Sequence, residues 1–334
     1  MNNQGNMNQQ YGMGNQGNMN QQYGMNGQYG MNQQQMNRQP VKANKSNPNN
    51  NRISAFQELK ILLRQYRIML ISDKKNLAVM LMFPLAAALI TVWIAGKDMY
   101  INYNGTKSAS FVLVSAAIWG GLFNSIQTVV RERDNIKRDY VTGLRLSCYT
   151  LSRAIWQFVI CMIQTLILCT SFIGVQMVHG NDLPKSGIVF GQPLIEYYIS
   201  LLLLMYAADA MGLMISCIVR KSETANVMAP YILIIQLIFS GILFEMKGAA
   251  EVISYGMLSR WGMEGLGSIS RLNDMKLAIV MEPNMPPFPP REAEAMFNAN
   301  GTHLLVIWLC LAGFILGFLL VGGILLRRVS KDTR

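Results

Sequence analysis

Charge is scarce in this chain. Only 14% of its 334 residues are Asp, Glu, Lys or Arg, where a soluble domain carries about 25%. With 51% hydrophobic residues gathered into long runs, the composition argues against a soluble globular protein and for an integral membrane protein. Histidine is nearly missing: His179 and His303 both flank apolar runs and form no ligand cluster. Cysteine is present but unpaired in pattern. Cys148, Cys161, Cys169, Cys217 and Cys310 are odd in number and without CxxC spacing, so they read as small buried hydrophobes and not as a disulfide framework or metal site. No G-x-x-x-x-G-K-[ST], H-E-x-x-H or G-x-S-x-G occurs, which removes the phosphate cradle, the zinc-protease helix and the nucleophile elbow from consideration. The net charge of +11 does not indicate nucleic-acid binding, because the basic residues sit beside apolar runs and not in one patch interleaved with aromatics.

The N-terminus has almost nothing to bury. NQGNMNQQYGM at 3–13 recurs identically at 15–25. Residues 1–50 therefore read as a disordered, Gln/Asn/Gly-rich cytoplasmic tail. Two roles stay open for it: a solvated tail, or a low-affinity tether or condensation segment. It has no apolar core of the kind a signal peptide needs.

Beyond residue 50 the chain turns apolar and periodic. SAFQELKILLRQYRIMLI (54–71) places Phe56, Leu59, Leu62, Leu63, Tyr66, Met69 and Leu70 on one helical face and Lys60, Arg64 and Arg67 on the other. That pattern predicts an amphipathic helix lying along the membrane surface, with Ser54 and Gln57 as a capping box at its start. Charge-poor runs predict six membrane-spanning helices at about 77–95, 109–130, 152–178, 194–219, 227–245 and 303–326, each long enough for a ~30 Å hydrocarbon core. Between them, one side carries eighteen Lys and Arg and the other eight. The richer side is cytoplasmic by the positive-inside rule, which puts both termini inside. The expected location is the cell membrane. MEPNMPPFPP (281–290) reads as an extended, proline-rich extracellular element.

VVRERDNIKRDYVTGLRLSCYTLSR (129–153) breaks the pattern, with acids among the bases. Positive-inside accounts for the bases but not for Glu132, Asp134 and Asp139. Mixed charge at helical spacing suits a protein contact held in register. The order Glu132-Arg133, Arg138-Asp139, Gly143, Arg145-Leu146-Ser147, Tyr149 and Leu151-Ser152-Arg153 resembles the first intracellular loop of type-2 ABC exporter membrane subunits of the G-subfamily kind, with Asp139 where that family has Glu. A second block agrees: Phe239-Ser240-Gly241-Ile242-Leu243, then Ser259-Arg260-Trp261-Gly262 and Gly265-Leu266, is similar to the family's fifth span and re-entrant segment. The resemblance runs in order over about 54–326.

It implies an all-α membrane protein with six transmembrane helices, an interfacial connecting helix before them and a re-entrant extracellular segment before the last. It implies a permease subunit that works as a homo- or heterodimer in the lipid bilayer, with ATP and Mg on a separate ABC ATPase subunit and no cofactor of its own. Glu132, Arg133, Arg138, Asp139, Gly143, Arg145 and Tyr149 would then couple to the ATPase. Trp119, Gly120 and Phe123 would face Ile234 and Leu237 across a substrate cavity closed by an Ile242–Leu243 plug. That mostly apolar face suits an amphipathic or lipid-like substrate moved out of the cytoplasm. Polar groups inside spans are costly and often functional. Gln127 and Asp209 are such groups, and Asp209 reads either as a proton or cation site or as a neutral or Gln-paired residue. An ion-coupled secondary transporter and a non-transporting membrane assembly protein remain the alternatives.

Overall fold

A computed structural model describes residues 53–95, 99–178, 180, 184, 186–244, 246–275 and 293–331. The N-terminal repeat and the proline-rich element at 281–290 lie outside the described residues.

The described residues are helical and contain no strand. Ten α-helices are arranged in chain order: α1 (Ala55–Ser72), α2 (Lys74–Ala95), α3 (Tyr103–Ser125), α4 (Thr128–Val141), α5 (Leu146–Val178), α6 (Pro193–Ile218), α7 (Ser222–Ile238), α8 (Ala249–Ser254), α9 (Leu258–Ile269) and α10 (Gly301–Lys331). Five stretches are long and apolar enough to cross a bilayer: α2, α3 running into α4, α5, α6 and α10. The expected span at 227–245 is shorter than that. Its helix, α7, has 17 residues, roughly 25 Å at 1.5 Å per residue, and gives way to a turn in which Gly241 takes φ +79°.

α6 is the central post, packed by α3, α10, α5, α9 and α4. Its small residues allow close approach of α3. A Cβ on Gly121 would lie 2.0 Å from the Met205 carbonyl oxygen, and one on Gly212 would lie 2.8 Å from that of Leu122. Two glycines facing opposite ways across one crossing let the backbones touch, which is how helices associate where no hydrophobic effect drives them. Buried side-chain amides tie other pairs. Asn124 Nδ2 donates to Gln164 Oε1 (2.6 Å) and Gln164 Nε2 donates to the Met80 carbonyl (2.9 Å).

The amphipathic helix at 54–71 forms as α1, but two expectations about it change. Ser54 is the N-cap residue yet makes no side-chain cap bond. Part of its apolar face is turned into the protein: the Leu63 carbonyl accepts a hydrogen bond from Trp156 Nε1 of α5 at 2.9 Å and Tyr66 is buried, while Phe56 and Met69 of that face are exposed. The outward face mixes Lys60, Arg64 and Arg67 with exposed Phe56, Ile61 and Ile68.

The α3–α6 contact generates a test. Gly121→Ala should destabilise the purified protein by about 1–3 kcal/mol, the usual cost of overpacking. Gly317→Ala on α10, whose Cβ would meet nothing within 4 Å, should leave the melting temperature unchanged or slightly raised. Thermal unfolding of the two variants in one detergent checks the pair.

Candidate functional site

The charged stretch folds as α4, a turn, and the first turns of α5. The family-like R-L-S-x-Y-x-L-S-R run is therefore the start of the 33-residue α5 and not a separate helix. α4 begins where α3 bends at Ile126–Gln127, both in the right-handed helical region. The free amides of its first turn go to α6: the Val129 and Val130 N–H groups donate to Ser216 Oγ at 3.0 and 3.2 Å. α4 ends on Gly143, at φ +110°. The Gly143 N–H donates to the Tyr140 carbonyl and the Leu144 N–H to that of Asp139, which is the paired bonding of a Schellman C-cap. Glycine is required here because a side chain resists positive φ.

Below that tip, α1, α4 and α5 meet on one buried ion pair. Glu132 accepts from Tyr149 Oη at 2.7 Å and from the Arg153 guanidinium. The Arg153 guanidinium lies 3.9 Å from the Tyr66 ring centroid and 4.9 Å from that of Tyr149, a cation held between two aromatic faces. Burial pushes the Tyr66 phenol up to about 12 against the pull of Arg153, so it stays neutral. A second link lies one turn away. Glu58 of α1 accepts the Arg145 backbone N–H at 2.6 Å and sits 3.7 Å from its side chain, placing a carboxylate at the positive end of α5. Arg133 Nη1 donates to the Val219 carbonyl at 2.9 Å.

The expected coupling residues therefore fall into two groups. Glu132, Arg133, Arg145 and Tyr149 bind other elements of this chain. Arg138 and Asp139 pair only weakly with each other (3.5 Å) at the surface, and Gly143 is exposed beside them. Sequence reasoning placed Tyr66 and Glu58 on the faces of α1 but not at this junction, and it missed Ser216 and Val141, an apolar side chain 85% exposed at the tip. One signal was available: Tyr149 and Arg153 are four residues apart, hence on one face of a helix.

The expected cavity residues separate as well. Trp119, Gly120 and Phe123 line a cavity of about 660 Å³, with the rings of Trp119 and Phe123 stacked 5.5 Å apart. The opposite wall is not α7. It is the α1–α2 hairpin, through Tyr66, Met69, Asn76, Met80 and Phe83. Ile234 is exposed, Leu237 is half-buried, and neither lines this cavity. Ile242 is half-buried and Leu243 exposed in the turn after α7. Gln127 stands at the cavity with its Nε2 on Asn226 Oδ1 and its Oε1 without a hydrogen-bond partner. Asp209 is buried in α6. Ser125 Oγ donates to its backbone carbonyl, and Asp209 Oδ1 has no hydrogen-bond partner. No cluster of three or more His, Cys, Asp or Glu fit to hold a metal occurs among the described residues.

At the other end, α9 is sunk into the bundle. The Ser259 N–H donates to Gln236 Oε1 at 3.1 Å, joining α9 to α7, and Glu264 meets His303 of α10 at 3.2 Å and Arg260 at 3.8 Å.

The sequence has counterparts among known proteins. The family model described as ABC-2 type transporter matches residues 57–269. The ABC transporter ATP-binding/permease protein Rv1747 of Mycobacterium tuberculosis (strain ATCC 25618 / H37Rv) is 20% identical over 220 residues, covering 63% of this chain. The match spans only 25% of that relative's own length.

The ion pair carries a prediction. Glu132→Gln leaves a buried guanidinium without its countercharge and should cost about 3–5 kcal/mol, whereas Glu132→Gln with Arg153→Met should cost much less than the two single changes together. Melting curves of the four proteins close the cycle.

Proposed function

We propose, from the premise that this chain belongs to the ABC-2 type transporter family, that it is the permease subunit of an ATP-driven exporter whose ATPase is a separate polypeptide. No phosphate-binding motif occurs in the 334 residues of this chain, and ATP and Mg are assigned to the ATPase partner. It sits in the cell membrane as a multi-pass protein with both termini cytoplasmic, paired with a second membrane subunit. α7 is the remaining crossing, short by a few residues and completed by the turn at 239–244, and α8–α9 return into the outer face as the re-entrant segment. Its Ile242–Leu243 pair closes the path in the dimer. The substrate is amphipathic.

One observation carries the coupling reading. The α4 tip offers exposed Arg138, Tyr140 and Val141, while the base of the same helix is locked to α1 and α5 through Glu132 and Arg153. A push on the tip would move three helices together, and α5 runs on for 33 residues. The division of labour is specific: outward residues meet the motor, and inward residues transmit its motion. Asp209, buried with one oxygen unpartnered, supports a second reading, ion-coupled transport. In that case Asp209→Asn would abolish activity that an ion gradient drives without any ATPase.

The tip is the place to test. Arg138→Glu with Val141→Asp should insert normally yet weaken retention of the co-expressed ATPase by about tenfold or more, as misplaced charge at an interface does. Binding measured on the purified membrane subunit reads this out. Unchanged ATPase binding and transport would sink the docking assignment.

A further inference from the structure

The 660 Å³ cavity is graded along its length. Phe83, Trp119 and Phe123 line it beside the paired amides of Asn124 and Gln164, and Asp73, Arg131, Glu132 and Asn135 line it farther along the chain path of α3 and α4. Trp119 and Asn135 are sixteen residues apart on a helical path bent once, which is roughly 24 Å at 1.5 Å per residue. One leaflet of a bilayer, headgroups included, measures about 20–22 Å. The apolar part, from Trp119 to Gln127, covers roughly 12 Å, close to the ~15 Å of one leaflet's hydrocarbon. Thr128 comes next, at the depth of a glycerol ester, with Arg131 and Asn135 in the headgroup layer. Charges of both signs line the cavity, Arg131 together with Asp73 and Glu132, which suits a headgroup with a phosphate and an amine. The groove opens sideways, since Val79 in its wall is 69% exposed.

We propose that this groove holds one zwitterionic glycerophospholipid from the leaflet on the α4 side. Its acyl chains lie along Phe83, Trp119 and Phe123, its phosphate meets Arg131, and its amine faces Asp73. The lipid completes the wall that the α1–α2 hairpin leaves open and gives the exposed mouth a partner of matching charge. The proposal rests on the placement of the chain in a membrane and not on ATP-driven export, so it holds for a chain that transports nothing.

Native mass spectrometry of the full chain, reconstituted with chain-deuterated phosphatidylethanolamine and released into mild detergent, tests it. The wild type should retain one lipid per chain. Val79→Trp, which fills the side opening, and Arg131→Glu, which repels the phosphate, should each lower occupancy about tenfold. Leu320→Trp, on the exposed face of α10, should leave it unchanged. Equal occupancy in all four proteins overturns the proposal, as does a disulfide between two copies formed through Val79→Cys. Because the readout is lipid mass and not transport, failure here is separable from failure of the exporter reading.

Discussion

A guanidinium taken out of water needs a carboxylate at hydrogen-bond distance, and Arg153 has one in Glu132 at the junction of α1, α4 and α5. The pair stands between two tyrosine rings, and three helices distant in sequence are committed to it. α1 contributes the ring of Tyr66, α4 the acid, α5 the cation and the Tyr149 hydroxyl. Hydrophobic packing between such helices would tolerate sliding by a fraction of a turn. A buried ion pair does not, because a shift of that size leaves a charge uncompensated in a poorly solvated site. The junction therefore fixes register where the chain leaves the apolar bundle.

That register has consequences in both directions. Outward, it sets the α4 tip, where the Gly143 turn reverses the chain and leaves Arg138, Tyr140 and Val141 exposed. Toward the bundle, it sets one wall of the large cavity, since Tyr66 and Glu132 both line it. A motion imposed at the tip reaches the cavity through the same residues that stabilise the junction. The core behind it yields less. α3 and α6 touch backbone to backbone at Gly121 and Gly212, and one hydrogen bond, from Ser125 to the Asp209 carbonyl, ties them across the crossing.

Much of this was legible. Because a bilayer demands about 20 apolar residues whatever the fold, the charge-poor runs mark α2, α3, α5, α6 and α10, with ends that miss by up to about six residues at α3 and α5. α1 was legible as a helix but not as to what its apolar face covers: periodicity gives a stripe, and a lipid surface and a neighbouring helix accept the same stripe. The reach of α7 was misjudged for a related reason. Hydropathy continues through Phe239, Ile242 and Leu243, and only the positive φ of Gly241 ends the helix.

The candidate site divides in the same way. Linear pattern alone determined that the chain is a helical membrane protein, that acids interrupt the basic loop, and that the loop has a family likeness. Which acid faces inward was decided by the fold, since Glu132 and Asp139 look alike in the sequence and differ only in what lies beside them. The cavity wall was likewise a tertiary outcome: Trp119 and Phe123 mark a face of α3, and the residues that face meets come from α1 and α2. Spacing along one chain specifies faces, and distances between faces exist only once the helices have packed.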